Sequence, residues 1–204
     1  MQHRRCAGVA VDLDNTLIHF DDPEGSRGFL RVLEKQFDIP RAVSEEAYRL
    51  AKGNGFSFEA ELEQLARLSS VLAGIVALGV PKRSEILAAC YRWLHSTLVL
   101  YDDVLPAMLR WGARHLPIGI VTAGEQNYQL YKIDALHIPY RDVIVVPHAR
   151  EKPAAVRALA SFYHGRIVFI DDKEEELDAC LEAGLSSNEV VTAHLRRPDS
   201  PYRE

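Results

Sequence analysis

The chain has 204 residues, 24 Lys and Arg against 29 Asp and Glu, a formal net charge of −5 and a pI near 5.9. With 48% apolar and 26% charged residues it falls outside the disordered, collagen-like and fibrous classes, and its mild acidity speaks against bulk nucleic-acid binding, which shows as a basic excess. At about 150 residues per domain, the length exceeds a minimal α/β core and falls short of two ordinary domains, so an inserted segment has to be placed.

The first apolar run, Val9-Ala10-Val11, stops abruptly at Asp12 and is too short for the core of a signal peptide. The same shape recurs later in the chain. Ile118-Gly119-Ile120-Val121 stops at Thr122, Val143 to Val146 at Pro147, Ile167 to Ile170 at Asp171, and Val190-Val191 at Thr192. Continuous apolar runs suit strands covered on both faces, as in a parallel sheet. Between them the pattern predicts helices over Val104 to His115, Glu125 to Leu136, Pro153 to His164 and Glu174 to Ala183. Strand and helix alternate, which predicts a Rossmann-like α/β core with a parallel sheet flanked by helices.

Residues 19–100 break that rhythm. Phe29, Leu30, Leu33 and Phe37 recur at helical spacing, as do Phe58, Leu62 and Leu65, and then Ile86, Leu87, Cys90 and Leu94. Pro40, Gly53-Asn54-Gly55 and Gly79-Val80-Pro81 divide the segment into about four helices with no strand-like run among them. The expected organisation is therefore a catalytic core from residues 1–18 and 101–204, with an all-helical insertion over 19–100. The longest apolar run, Val71 to Val80, is half of what a membrane helix needs and reads as a buried helix. Cys6, Cys90 and Cys180 are widely separated, with neither zinc nor disulfide spacing, which fits a reducing cytoplasm; no membrane or nucleic-acid partner is expected, and oligomeric state cannot be read.

In an open parallel sheet, ligands bind beyond the carboxyl ends of the strands. Those ends carry Asp12, Asp14, Asn15 and Thr16; then Thr122; then, a little further on, Lys152; then Asp171 and Asp172, with Glu176 four residues later. Carboxylates are the hard oxygen ligands that Mg²⁺ prefers, and four of them converging imply a cation. Lys152 adds a positive charge, and Thr122 with the helix start behind it suits phosphate oxygens. One such Asp alone is more often a helix cap or turn former; the agreement of Asp12, Asp14, Thr122, Lys152 and Asp172 in type and order outweighs that reading. Glu176 lies in an acidic first helical turn that the helix dipole alone would favour, so capping and site roles stand level for it. Asp21-Asp22 and Asp102-Asp103 read as solvated hinge or cap residues, His19 and His148 as surface or loop-packing histidines, and Gly53-Asn54-Gly55 as an interhelical turn.

Asp12-Leu13-Asp14-Asn15-Thr16-Leu17, Thr122, Lys152-Pro153 and Phe169-Ile170-Asp171-Asp172 resemble, in order, the four motifs of the haloacid-dehalogenase-like superfamily, across residues 8 to about 184. The resemblance implies an Mg²⁺-dependent phosphatase acting on a small phosphorylated metabolite. Asp12 would be the nucleophile, forming an aspartyl-phosphate, and Asp14 the general acid/base, with a pKa raised toward the working pH. Thr122 and the N–H of Ala123 would hold a phosphoryl oxygen, and Lys152 would stabilise Asp12 and the transition-state charge. Metal ligands would be Asp12, the backbone carbonyl of Asp14, and Asp172 or Asp171. The insertion matches the helical cap of the first type, which closes over the site. Two departures stand out: Asp171-Asp172 where the family often has Gly-Asp, and Glu151 where many capped relatives have Gly.

A phosphomutase would use the same residues and stays open beside the phosphatase. Asp14 argues against C–halogen cleavage. A signalling receiver domain places its acidic pair first and its phospho-acceptor later, the reverse of the order here. A non-catalytic binding protein on this scaffold is opposed by the intact Asp14.

Overall fold

The computed structural model describes residues 6–53, 55–68 and 80–197. The chain divides into two compact units, one formed by Met1–His19 with Val99–Glu204 and the other by Phe20–Leu98. Val71 to Gly79 and Asn54 lie outside the described residues, and with them the expected buried helix and part of the Gly-Asn-Gly turn.

In the first unit, strands β1 (Gly8–Val11), β4 (Ile118–Ala123), β5 (Asp142–Val146), β6 (Ile167–Asp171) and β7 (Val190–His194) form a parallel sheet in the order β5-β4-β1-β6-β7. Each continuous apolar run predicted as a strand is one, because a strand covered on both faces needs apolar residues at successive positions. Val11 pairs with Ile120 on one side and Ile170 on the other, which fixes the functional register. Asp12, Thr122 and Asp171 thereby fall at the same end of three neighbouring strands.

Helices α5 (Val104–Ala113), α6 (Gln126–Ala135), α7 (Lys152–Phe162) and α8 (Glu174–Glu182) begin within a residue of where the pattern places them. Their ends come one or two residues early. His115, His137 and His164 adopt left-handed backbone just beyond α5, α6 and α7 and stop those helices. Val156, Leu159, Leu177 and Cys180 from α7 and α8 share a buried core with Ala10, Val121 and Phe169 from the sheet. Burying side chains of this size contributes about 1.5–3 kcal/mol each.

The second unit contains α1 (Phe29–Phe37), α2 (Arg41–Lys52), α3 (Phe58–Leu68) and α4 (Val80–Thr97). Phe29, fully buried, has the rings of Tyr48, Phe56, Phe58 and Trp93 at 5.2–5.9 Å between centroids. Asp22 is not solvated, as its sequence neighbourhood suggested. It accepts from the guanidinium of Arg31 at 2.5 Å, from Trp93 Nε1 at 3.2 Å and from the N–H of Glu24 at 2.8 Å. A Cβ at Gly28 would stand 2.2–2.5 Å from that carboxylate, so only glycine admits it.

Two three-residue strands, β2 (Ile18–Phe20) and β3 (Leu98–Leu100), pair where the chain passes between the units. Three residues are too few to display a two-residue period, which is why the sequence pattern does not reveal them.

Candidate active site

The segment after β1 is a tight loop. The Leu13 carbonyl accepts from the N–H groups of Leu17 and Ile18 at 2.9 and 3.1 Å, and the Asn15 N–H donates to the Ile18 carbonyl at 2.8 Å. Asn15 takes a left-handed backbone, φ 60°, which asparagine tolerates better than branched residues do. Leu13 and Leu17 are buried and pin the loop by their side chains, so Asp12 and Asp14 sit on a fixed support.

Lys152, the first residue of α7, is 3% exposed and gathers the acids. Its Nζ lies 2.6 Å from Asp12 Oδ1 and 2.9 Å from Asp171 Oδ2, and it also pairs with Glu176. Lys173 meets Glu176 as well, at 3.2 Å. Thr16 Oγ1 donates to Asp172 Oδ1 at 3.4 Å, and the ring of His194 lies 3.1 Å from the Asp172 carbonyl. Glu176 is thus buried within the cluster and does more than cap α8.

Electrostatics follows from burial. Loss of solvent pushes the Asp12 carboxyl well above the usual carboxylate range, with Lys152 only partly offsetting it, and burial beside Asp12 does the same to Asp171. For Lys152 burial disfavours the charge, but Asp12, Asp171 and Glu176 outweigh it and hold the ammonium firmly protonated. Glu176 is likewise penalised by burial and is held below its ordinary range by Lys152 and Lys173. Asp12, Asp171 and Asp172 each offer an oxygen within 4.8 Å of the others, and all three are buried. One shared lysine leaves that trio short of positive charge, and an all-oxygen donor set with excess negative charge fits a hard divalent cation such as Mg²⁺.

Asp14 departs from the expectation of a raised pKa. Its carboxylate stands apart from the trio, with both oxygens 2.6 Å from Lys132 Nζ and Oδ2 3.3 Å from Gln129 Nε2. Burial would raise this carboxyl, yet the Lys132 charge and the hydrogen bonds from Lys132 and Gln129 prevail and hold it below the usual range. Both partners come from α6 and are buried. The sequence reading missed them because they belong to no motif. Their signal was positional: Tyr128, Gln129, Lys132 and Ile133 share the buried face of one helix, where an amide and an ammonium need a polar partner.

Thr122, 1% exposed, and Ala123 close β4 beside β1. Gly124 follows with φ +145°, and a Cβ there would meet Gln129 Nε2 at 2.7 Å. Glu125 then caps α6 by accepting from the Tyr128 N–H at 2.7 Å. Arg197, also outside every motif, donates through Nε and Nη2 to the Thr16 carbonyl at 3.1 and 2.7 Å, and its Nη1 lies 2.6 Å from Asp103. The His19 ring lies tilted against that of Tyr101, 4.5 Å between centroids, while His148 and Glu151 are exposed around the 3₁₀ turn before α7.

The α/β unit thus brings buried carboxylates and Lys152 together at the carboxyl end of a parallel sheet, where ligands bind in folds of this class. The family profile of the haloacid dehalogenase-like hydrolases matches residues 6–184, and the chain belongs to that family. It is 32% identical over 101 residues to enolase-phosphatase E1 of Gluconacetobacter diazotrophicus, a match covering 45% of this chain and 43% of that protein. The match thus spans less than half of that curated relative. Among solved structures, one described as a haloacid dehalogenase-like hydrolase from Burkholderia xenovorans LB400 superposes with a TM-score of 0.66 at 19% identity, covering 93% of this chain and 84% of that one. The defluorinating L-2-haloacid dehalogenase Rha0230 gives 0.62 at 14%, covering 97% and 85%. These two likenesses concern the fold.

Proposed function

We propose that the protein is a divalent-metal-dependent phosphatase that hydrolyses a small phosphomonoester through an aspartyl-phosphate on Asp12. The observation that carries this reading is the Lys152 hub, one buried ammonium joined to Asp12, Asp171 and Glu176, with Asp14 two residues beyond Asp12. Asp14 also favours phosphoryl transfer over C–halogen cleavage, since an alcohol leaving group needs a proton where halide needs none.

Asp12 attacks phosphorus as the bond from phosphorus to the alcohol oxygen breaks, and Asp14 gives its proton to the departing alcohol. Water then attacks the phosphorus of the aspartyl-phosphate and gives a proton back to Asp14, releasing inorganic phosphate and restoring Asp12. In the ion-paired form Asp14 is set for this second half, and the proton it gains there is the one it gives in the next turnover. Lys152 orients Asp12 and balances charge as it spreads over the phosphoryl oxygens; Thr122 and the Ala123 N–H hold one of those oxygens. Asp12, Asp171 and Asp172 would hold Mg²⁺, with the Asp14 carbonyl as a further ligand. The ion would supply charge neutralisation at the phosphoryl group.

Purified protein with Mg²⁺ and a panel of metabolite phosphomonoesters is expected to release inorganic phosphate, and Asp12→Asn is expected to abolish the release. Full activity in Asp12→Asn would overturn the mechanism. Phosphorus NMR of the products separates hydrolysis from transfer to another position of the same sugar.

A further inference from the structure

Lys132 is the one buried cation of α6, and both oxygens of Asp14 lie on its ammonium at 2.6 Å. The Lys132 side chain is 3% exposed while that of Asp14 is 36% exposed, so the ion pair faces inward at one end and opens outward at the other. A buried ammonium needs a counter-charge, and here it is supplied by a half-exposed carboxylate of the loop after β1, 118 residues earlier in the chain. Gln129, one helical turn before, adds a second point of contact. Its Nε2 donates to Asp14 Oδ2 at 3.3 Å and to the Ala123 carbonyl at 3.0 Å, although its own Oε1 is buried without a hydrogen-bond partner. The amide orientation therefore serves Asp14 and Ala123 and leaves Gln129 itself unsatisfied, which carries a desolvation cost. Ala123 adjoins Thr122 at the end of β4, so the clamp ties Asp14 to the strand that would hold phosphate. Gly124 keeps the space that Gln129 crosses, since a Cβ there would collide with it.

We propose that Lys132 and Gln129 are positioning residues for Asp14, a two-point clamp that fixes where its carboxylate stands relative to the phosphate-binding strand. This rests on the phosphatase reading above. Neither residue touches substrate. Both act through Asp14 by fixing where its carboxylate stands, a position that serves the departing alcohol and the attacking water alike, and of these two steps only the first depends on the leaving group. A proton carrier displaced by about 1 Å loses much of its advantage, and general acid catalysis contributes about 10²–10⁴-fold.

The test compares kcat/KM, which covers steps up to departure of the alcohol, on β-glycerol phosphate and p-nitrophenyl phosphate with Mg²⁺. The nitrophenolate leaves without a proton; the glycerol oxygen does not. Lys132→Met is expected to lower kcat/KM about 100-fold on β-glycerol phosphate and about fivefold on p-nitrophenyl phosphate, with Lys132→Arg recovering most of the loss. Gln129→Leu, which leaves the ion pair intact, is expected to show the same asymmetry at smaller size and serves as the probe if Lys132→Met does not fold. In an Asp14→Asn background, Lys132→Met is expected to cost nothing further, because its partner is already lost. Equal losses on both substrates, or an additive loss in the Asp14→Asn background, would overturn the clamp. Wild-type protein without phosphate release, or an active Asp12→Asn variant, would overturn the phosphatase reading instead.

Discussion

Each of the two units buries acid, and the two do so in opposite ways. In the α/β unit, Asp12, Asp171 and Glu176 converge on Lys152, and each has at least one charged partner within the buried cluster. In the helical unit, Glu61 on α3 is 1% exposed, and neither of its carboxylate oxygens has a hydrogen-bond partner. Burial alone pushes the Glu61 carboxyl up to about 8, so at neutral pH this acid is mostly uncharged. Cys90 is pushed up to about 12, by burial first and by Glu61 and Glu59 after it. The contrast teaches what a lysine does at a buried acid site: it holds Glu176 below its ordinary range and partly offsets the burial that raises Asp12 and Asp171, while nothing offsets burial at Glu61. Only charged carboxylates serve as nucleophile or cation ligand.

The largest expected effect comes from making the first cluster resemble the second. Lys152→Met removes the shared ammonium and is expected to lower phosphate release at least 100- to 1,000-fold, about the loss seen when one charge-stabilising donor is removed from an active site. It should also destabilise the unit by about 3–5 kcal/mol at neutral pH, the usual cost of stripping one partner from a buried ion pair. Without Lys152 the folded carboxyls shift further up, so the native state binds more protons than the unfolded chain. The variant should therefore be more stable at pH 5 than at pH 8. Denaturant unfolding at the two pH values checks this, and a flat response would break the comparison.

Lys152 was legible as a candidate for a reason that Lys132 lacked. Asp12, Thr122 and Asp171 are strand-end residues, and a buried parallel strand announces its end where the apolar run stops. Lys152 sits at a helix start in a recognisable order with them. Lys132 and Gln129 lie inside a helix whose apolar and polar positions are nearly evenly distributed around it, and Arg197 lies beyond the last strand. Their partners are fixed by tertiary approach, Asp14 across 118 residues for Lys132 and Thr16 across 181 for Arg197. No local period encodes such a meeting. The ionisation of Asp14 differs from expectation for the same cause: the expectation followed from its acid/base role, while the deciding charge stands on a helix that carries no motif. The sheet and its helices needed no such information, since each is written in its own stretch of sequence.

Glu61 gives the next effect, on stability alone. Its carboxyl has a folded pKa of about 8 against an ordinary value of 4.5. Between those values the native state holds a proton that the unfolded chain has released, so stability falls as pH rises, by about 1.4 kcal/mol per unit. Below pH 4.5 the penalty is absent, and above pH 8 it is complete. Glu61→Met, of similar volume and without charge, should remove it. The gain over wild type is expected to be on the order of 3 kcal/mol at pH 7 and to shrink toward zero near pH 4. Taking the difference between variant and wild type at each pH cancels the titration of other groups. A gain that does not change with pH would mean that Glu61 is charged in the folded protein, and the two clusters would then not differ as described.

The third expected effect turns the comparison on its remaining term, the cation. Asp12, Asp171 and Asp172 lie within 4.8 Å of one another and share too little positive charge, so Mg²⁺ should bind the folded α/β unit and not the unfolded chain. At 100 times its dissociation constant such a ligand stabilises by about 2.7 kcal/mol, read as a rise in melting temperature that EDTA reverses. Asp172→Asn should remove most of this rise. Asp172 accepts from Thr16, whereas Lys152 is paired with Asp12, Asp171 and Glu176, so this variant weakens the cation site while keeping those three carboxylates on the lysine. Glu61→Met, by contrast, should leave the Mg²⁺-dependent rise unchanged, because a lone uncharged carboxyl gives a hard cation neither charge nor a second ligand. An equal Mg²⁺ response in wild type and Asp172→Asn would place the ion elsewhere. A response lost in Glu61→Met would mean that the two acid sites are linked through the fold, and their opposite charge states would then be parts of one equilibrium.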